Sequence, residues 1–257
     1  MTIPDSVEDI GRFAFSECSG MMRMTIGNNV KNIGDCAFRG CSELYSLTMP
    51  DSLLNVGNYA FSGCSGLMSV ILGNSVTNVG NYAFTGCSRL TNIDLGNSLV
   101  NIGDSAFGGC SGLTNVIVPN SVTNMGSAVF TGCRGLSELT LPFVGSARDV
   151  ARSNQALFGY IFGTSTYEGS VATKQSSSSG NISYYIPAAL KNVTITDETL
   201  IGYGAFSGCS LTRITLPDCL KTISDYAFYN CSFSGIDIPG GVEVIGSYAF
   251  AQCSWLS

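Results

Sequence analysis

A solenoid of short stacked coils, joined by parallel strand ladders, is the fold this sequence predicts, and three recurring features predict it. Cysteine returns at one constant interval at Cys18, Cys41, Cys64, Cys87, Cys110 and Cys133, and at an interval shorter by one position at Cys209, Cys231 and Cys253. An Ala-Phe pair precedes the cysteine at Ala14-Phe15, Ala37-Phe38, Ala60-Phe61, Ala83-Phe84, Ala106-Phe107, Ala205-Phe206, Ala227-Phe228 and Ala249-Phe250, with Val129-Phe130 as a conservative variation. Glycine keeps the same phase at Gly11, Gly34, Gly57, Gly80, Gly103, Gly126 and Gly246. A short fixed period of this kind marks an architecture in which one unit cannot bury its own apolar side and must stack on its neighbours.

The unit from Leu67 to Leu90 shows the recipe. Leu67, Val70 and Leu72 form a strand pattern in which Val70 and Leu72 point inward by alternation. Gly73-Asn74-Ser75 is turn chemistry. Val76 and Val79 make a second short apolar stretch ending at Gly80, which suits a tight backbone position. Residues 81–87 are too few for a stable isolated helix, so they read as a helical or 3₁₀ turn packed on the coil. The same phase places strands at 21–26, 44–49, 67–72, 90–95, 113–118, 136–141, 190–195, 211–216 and 233–238, with a tenth opening at Leu256. Each phenylalanine would then rest on the phenylalanine of the next coil.

Composition excludes several functions. The 257 residues include 11 cysteines and no histidine, which removes Ser-His-Asp and Cys-His catalysis and imidazole metal sites. Twelve basic residues against 18 acidic ones argue against a nucleic-acid partner held by phosphate neutralisation. No apolar run approaches the ~20 residues that span a bilayer, so no membrane insertion is expected. The apolar fraction of 45% is too high for a disordered chain, and the low charged fraction of 12% fits one interior shared among many coils.

Runs such as IGDCAFRGCSELYSLTMPDSL and VGNYAFTGCSRLTNIDLGNSL closely resemble the BspA-like leucine-rich repeat family. The resemblance covers residues 3–141 and 190–257. It implies a right-handed, slightly curved leucine-rich-repeat β-solenoid of about nine coils with parallel sheets of short strands. It also implies a secreted or surface-attached protein of bacteria or parasitic protists, in a family associated with adhesion to host matrix proteins, epithelial cells or other microbes. The ligand does not follow from the family, because function on a shared fold lives in a site.

Residues 142–189 break the rhythm, leaving 1–141 and 190–257 as two runs of repeats. Leu136 and Leu190 open consecutive recognisable strands, yet the stretch between them is more than twice the length of one unit. Within the gap, Asp149 to Phe162 fits a short amphipathic helix. Thr164 to Asn181, with Ser176 to Ser179 and Gly180 at its centre, reads as a flexible loop. Ile182 to Ile186 reads as one more strand. The insertion is either a binding excursion, for which the aromatics Phe158, Tyr160 and Phe162 are the candidate anchors, or a tolerated insertion that covers part of the solenoid.

The repeat cysteines read as small buried hydrophobes, because metal sites want C-x₂₋₄-C clusters and stacked side chains pointing one way are badly oriented for disulfides. Cys219 replaces a turn serine and is the thiol most expected to be exposed. The outward strand positions form a mixed polar strip in which Arg23, Asn92, Asp94, Glu138 and Arg213 are the candidate ligand contacts. Too few units carry threonine there for an ice-binding ladder. No catalytic pair, phosphate loop, metal site or cofactor site is legible. Met1 leads straight into mid-repeat and Leu256 begins another strand, so the chain reads as an excerpt from a longer array. The expected function is a non-enzymatic interaction or adhesion module that binds a host extracellular-matrix protein, a glycan or another microbial surface molecule. A passive stalk, or a targeting array for a domain elsewhere in the protein, is the alternative.

Overall fold

The structure, a computed structural model, describes residues 1–177, 180–233 and 235–254. The chain folds as a parallel-strand β-solenoid with almost no helix, in two compact units, Met1–Leu136 and Ser137–Ser257.

In the first unit most coils contribute two short strands; the strand expected at 21–26 is reduced to single bridges at Arg23 and Thr25. The strands Asp9–Ile10, Asn32–Ile33, Asn55–Val56, Asn78–Val79, Asn101–Ile102 and Asn124–Met125 pair in parallel, each with its counterpart one coil on. On another side Ser46–Thr48, Ser69–Ile71 and Asn92–Asp94 form a second parallel ladder, extended towards the N-terminus by a bridge from Arg23 to Ser46. Val70 and Leu72 are buried, as alternation predicts, while Ser46, Thr48, Ile71, Asn92 and Asp94 face solvent. Phe15, Phe38, Phe61, Phe84, Phe107 and Phe130 stack ring on ring, with centroids 5.1–5.9 Å apart and planes within 13° of parallel. Burying such a ring contributes about 1.5–3 kcal/mol, so this column is the spine of the unit.

The segment expected to be helical is instead a ladder of β-turns. Ala83, Thr85 and Cys87 donate their N–H groups to the carbonyls of Gly80, Tyr82 and Phe84, three residues back. Tyr82, Phe84 and Gly86 donate to Asp104, Ala106 and Gly108 of the next coil. Alternate amides thus serve the turn and the neighbouring coil, which no helix allows. This pattern needs a positive φ at every fourth residue, met by Tyr82 (57°) and Gly86 (77°) and by Tyr59, Ser105 and Ala128 in the other coils. A non-glycine residue there costs about 1–2 kcal/mol, offset by the amides paired between coils. Gly80 has a different purpose: a Cβ added to it would lie 2.7 Å from the backbone nitrogen of Asn58 in the preceding coil. The recurring glycine is therefore a spacing device between stacked backbones.

Side chains repeat the ladder. Asn58, Asn81 and Asp104 each accept, at Oδ1, the backbone N–H of the residue 23 positions on, at 2.6–2.8 Å. Asn55 donates to Asn32, and Asn124 to Asn101, at 2.8 and 2.9 Å. These polar groups join one coil to the next at the surface as the phenylalanines do inside.

The second unit has a parallel ladder of Glu138–Leu141, Asn192–Ile195 and Arg213–Thr215, and another of Leu200–Ile201, Thr222–Ile223 and Val244–Ile245. The strand expected at 233–238 does not form among the described residues, and the one expected at Leu256 lies outside them. The helix expected over 149–162 is two 3₁₀ turns, Asn154–Ala156 and Phe158–Ile161. Leu157 between them is extended, and Phe158 donates its N–H to Ala205 at 2.8 Å. That bond takes the amide away from a helical ladder and lends it to the repeat.

The serine-rich segment is paired, not a flexible loop. Ser170–Ser177 and Gly180–Pro187 form an antiparallel hairpin, with Ser178 and Ser179 outside the described residues. Thr173, Gln175 and Ser177 alternate into the interior at 3%, 0% and 7% exposure. Because the inward face is polar, it hides the period-2 signal of a strand. Gln175 makes the face workable: its Oε1 accepts the Gly159 N–H at 2.7 Å and its Nε2 donates to the Ala205 carbonyl at 2.9 Å. Phe158 lies on Phe206 at 4.9 Å, and Phe206, Phe228 and Phe250 stack in turn as a column of this unit's own. The insertion thus takes the place of a coil.

Candidate interaction surface

The candidate residues separate into three groups. Phe158 and Phe162 are wholly buried and Tyr160 is half-buried. The two phenylalanines expected to anchor a partner are core residues, drawn inward because Phe158 packs on Phe206 at the head of the second unit's own phenylalanine column, so they offer no binding surface. Glu138 and Arg213 stand exposed in the second unit, on strands that flank Asn192 in register. The Asn192 amide donates to Glu138 Oε1 at 3.4 Å.

Arg23 and Asp94 share one feature in the first unit, an open groove of about 820 Å³ across the strand face. Tyr45, Asp51, Ile71 and Asn74 also line it. The Arg23 guanidinium lies over the Tyr45 ring, 5.1 Å from its centre, a cation–π contact that holds the charge across the next coil. Asp94 accepts the Gly96 N–H at 3.0 Å through one oxygen, and Asp51 accepts the Asn74 N–H at 3.4 Å. Asn92 is exposed beside Asp94 and points its amide at Ser69, 3.5 Å away. Tyr45, Asp51 and Asn74 are not legible from the sequence as groove residues, because they lie just outside the strand positions that alternation marks as outward.

The thiols form a separate column. Cys64, Cys87, Cys110 and Cys133 each donate to the carbonyl of the phenylalanine 26 residues earlier, at 3.2–3.3 Å. All eleven cysteines are free; Cys18 and Cys219 are exposed and the other nine buried. Burial pushes the Cys133 thiol up to about 12, so its thiolate is scarce at neutral pH and it is a poor nucleophile. A water-soluble maleimide should label Cys18 and Cys219 in the folded chain and Cys64, Cys87, Cys110 and Cys133 only after denaturation, read by mass spectrometry of tryptic peptides. Rapid labelling of Cys87 or Cys110 in the folded chain would refute this arrangement.

One buried acid stands out. Glu198, 2% exposed, accepts the N–H groups of Val144 and Asp149 at 2.7 and 2.6 Å. Desolvation pushes its carboxyl up to about 7, against those two donors. It pins residues 144–149 to the repeat, and Arg148 pairs with Asp197 beside it at 2.7 Å. These contacts account for the acid as a structural latch.

Among the described residues no helix is long and apolar enough to cross a membrane. No curated protein matches the chain. Among solved structures, a leucine-rich repeat protein of Bacteroides ovatus is 25% identical, with a TM-score of 0.50, over 99% of this chain and 76% of its own. A leucine-rich cell surface protein of Faecalibacterium prausnitzii is 28% identical, with a TM-score of 0.52, over 99% of this chain and 70% of its own. The family described as the BspA type leucine rich repeat region matches in six copies, over residues 1–73, 37–150 and 179–257. The cysteine phase, the phenylalanine column and the paired ladders thus have their explanation: the chain belongs to the BspA-type leucine-rich repeat family.

Proposed function

We propose that the chain is a non-enzymatic interaction module of a secreted or cell-surface protein, which binds host or microbial macromolecules through the strand face of its first unit. The observation that carries this reading is the open groove with Arg23 and Asp94, opposite charges that no ion pair among the described residues joins to each other. A surface-protein relative of the same fold supports the location. The module works by presenting a fixed array of side chains, since strand pairing sets the position of each outward residue and little ordering is left to be done on binding.

The test is binding of the immobilised chain to a panel of extracellular-matrix proteins, glycans and whole microbial cells. Arg23→Ala and Asp94→Ala should each weaken binding of the recognised partner, and more so at low salt, because exposed charges are screened. Glu138→Ala and Arg213→Ala serve as exposed controls in the second unit. Absence of binding to every member of the panel would favour a passive stalk. Equal affinity of all four variants would move the site elsewhere.

A further inference from the structure

We infer that the groove recognises an extended peptide segment bearing an acidic side chain, an apolar side chain two residues away and a basic side chain four residues away. This rests on the reading of the strand face as the binding surface and names the ligand for it.

Register fixes the dimensions. Arg23 pairs with Ser46, Ser46 with Ser69, and Ser69 with Asn92, so Arg23 and the Asn92–Asp94 strand lie three strand spacings apart. At ~4.8 Å per spacing that is about 14 Å. The Arg23 guanidinium leans over Tyr45 towards the groove, which brings the positive pole closer to Asp94 than the backbones are. An extended chain rises about 3.3 Å per residue and places residues i, i+2 and i+4 on one face. Four residues cover about 13 Å with both side chains facing the groove, whereas three or five put one of them on the wrong face.

The middle of the groove selects the residue between. Ile71 is 42% exposed, in register with Asp94 on the neighbouring strand. A residue at i+2 would reach it, so a small apolar side chain there buries against Ile71 rather than against water. Charge disfavours the other classes of ligand. A sulfated glycan or nucleic acid would meet Asp51 and Asp94 along with the one arginine, and a neutral glycan would leave both poles unused.

The probes are three fluorescent, end-blocked heptapeptides read by anisotropy with the whole chain: Thr-Glu-Thr-Val-Thr-Lys-Thr, the same composition with Glu and Lys three residues apart, and the first peptide with Glu in place of Lys. The first should bind up to about fivefold tighter than each of the others, as loss of one exposed pair predicts, and the difference should shrink at high salt. Asp94→Lys should reverse the preference between the first and third peptides, while Ile71→Ser should weaken the first without altering its charge dependence. Equal binding of the three peptides, or none, overturns the inference, as does displacement by a neutral oligosaccharide and not by the first peptide. If macromolecular binding still falls in Arg23→Ala and Asp94→Ala, the strand face survives as the surface and only its peptide ligand is wrong. If those variants bind normally, both readings fall together.

Discussion

Replacing Phe84 by alanine should lower the stability of the first unit by about 3–5 kcal/mol, the usual cost of truncating a buried phenylalanine. The ring is fully buried and touches Phe61 at 5.3 Å and Phe107 at 5.6 Å, so its loss opens a gap in the middle of the column. Urea unfolding followed by tyrosine fluorescence should show the shift. Maleimide labelling should show that Cys87 and Cys110, whose donors reach the carbonyls of Phe61 and Phe84, become reactive at lower urea than in the parent. A change of less than ~1 kcal/mol would mean that the column is not the spine of the unit. Thr85→Ala, close by in sequence, should cost much less, because it removes one partly buried hydrogen bond to the Ser105 carbonyl.

Gln175→Leu should be the corresponding damaging change in the second unit. The Gly159 N–H loses its partner in the interior, while the Ala205 carbonyl gives up one of its two donors and keeps the Phe158 N–H. An orphaned buried group costs about 1–3 kcal/mol, and that is the loss expected here. Hydrogen exchange provides the local readout: the Gly159 amide should exchange far faster in the variant, while amides of the first unit keep their protection. Unchanged exchange at Gly159 would show that the glutamine is not the clasp that joins insertion to repeat. Gln175→Glu tests the same clasp from the other side, retaining the acceptor for Gly159 while removing the donor to Ala205.

These two sites also mark what the sequence made legible. Phe84 announces itself, because the repeat copies its environment from coil to coil and any buried position becomes visible as a column of identical letters. Gln175 cannot be found that way. It sits in a segment that occurs once, on a strand whose inward residues are Thr173, Gln175 and Ser177, and an inward polar face has the signature of a loop until its partners are known. Phe158 is legible as an aromatic but not as a core residue, since nothing local says that its ring packs on Phe206, far along the chain. The turn ladder escapes for another reason. The residues at positive φ differ from coil to coil, as Cys36, Tyr59, Tyr82, Ser105 and Ala128 show, so the conformation repeats where the letters do not. For the groove, alternation identifies Arg23 and Asp94 as outward, but their placement on one surface needs the register of four successive strands.

The bonds that join the coils of the first unit reach one step and no further: ring to next ring, thiol to the preceding phenylalanine carbonyl, Asn or Asp oxygen to the next backbone amide. A design of that kind has a heritable consequence. Unequal recombination between copies that adds or removes one whole repeat leaves every remaining junction with a partner of the familiar shape, whereas a one-residue slip puts every donor of the turn ladder out of phase. Copy number is therefore the easiest property of such a gene to vary, and the spacing of charged poles along the strand face can be reset in steps of about 4.8 Å without inventing a single new contact.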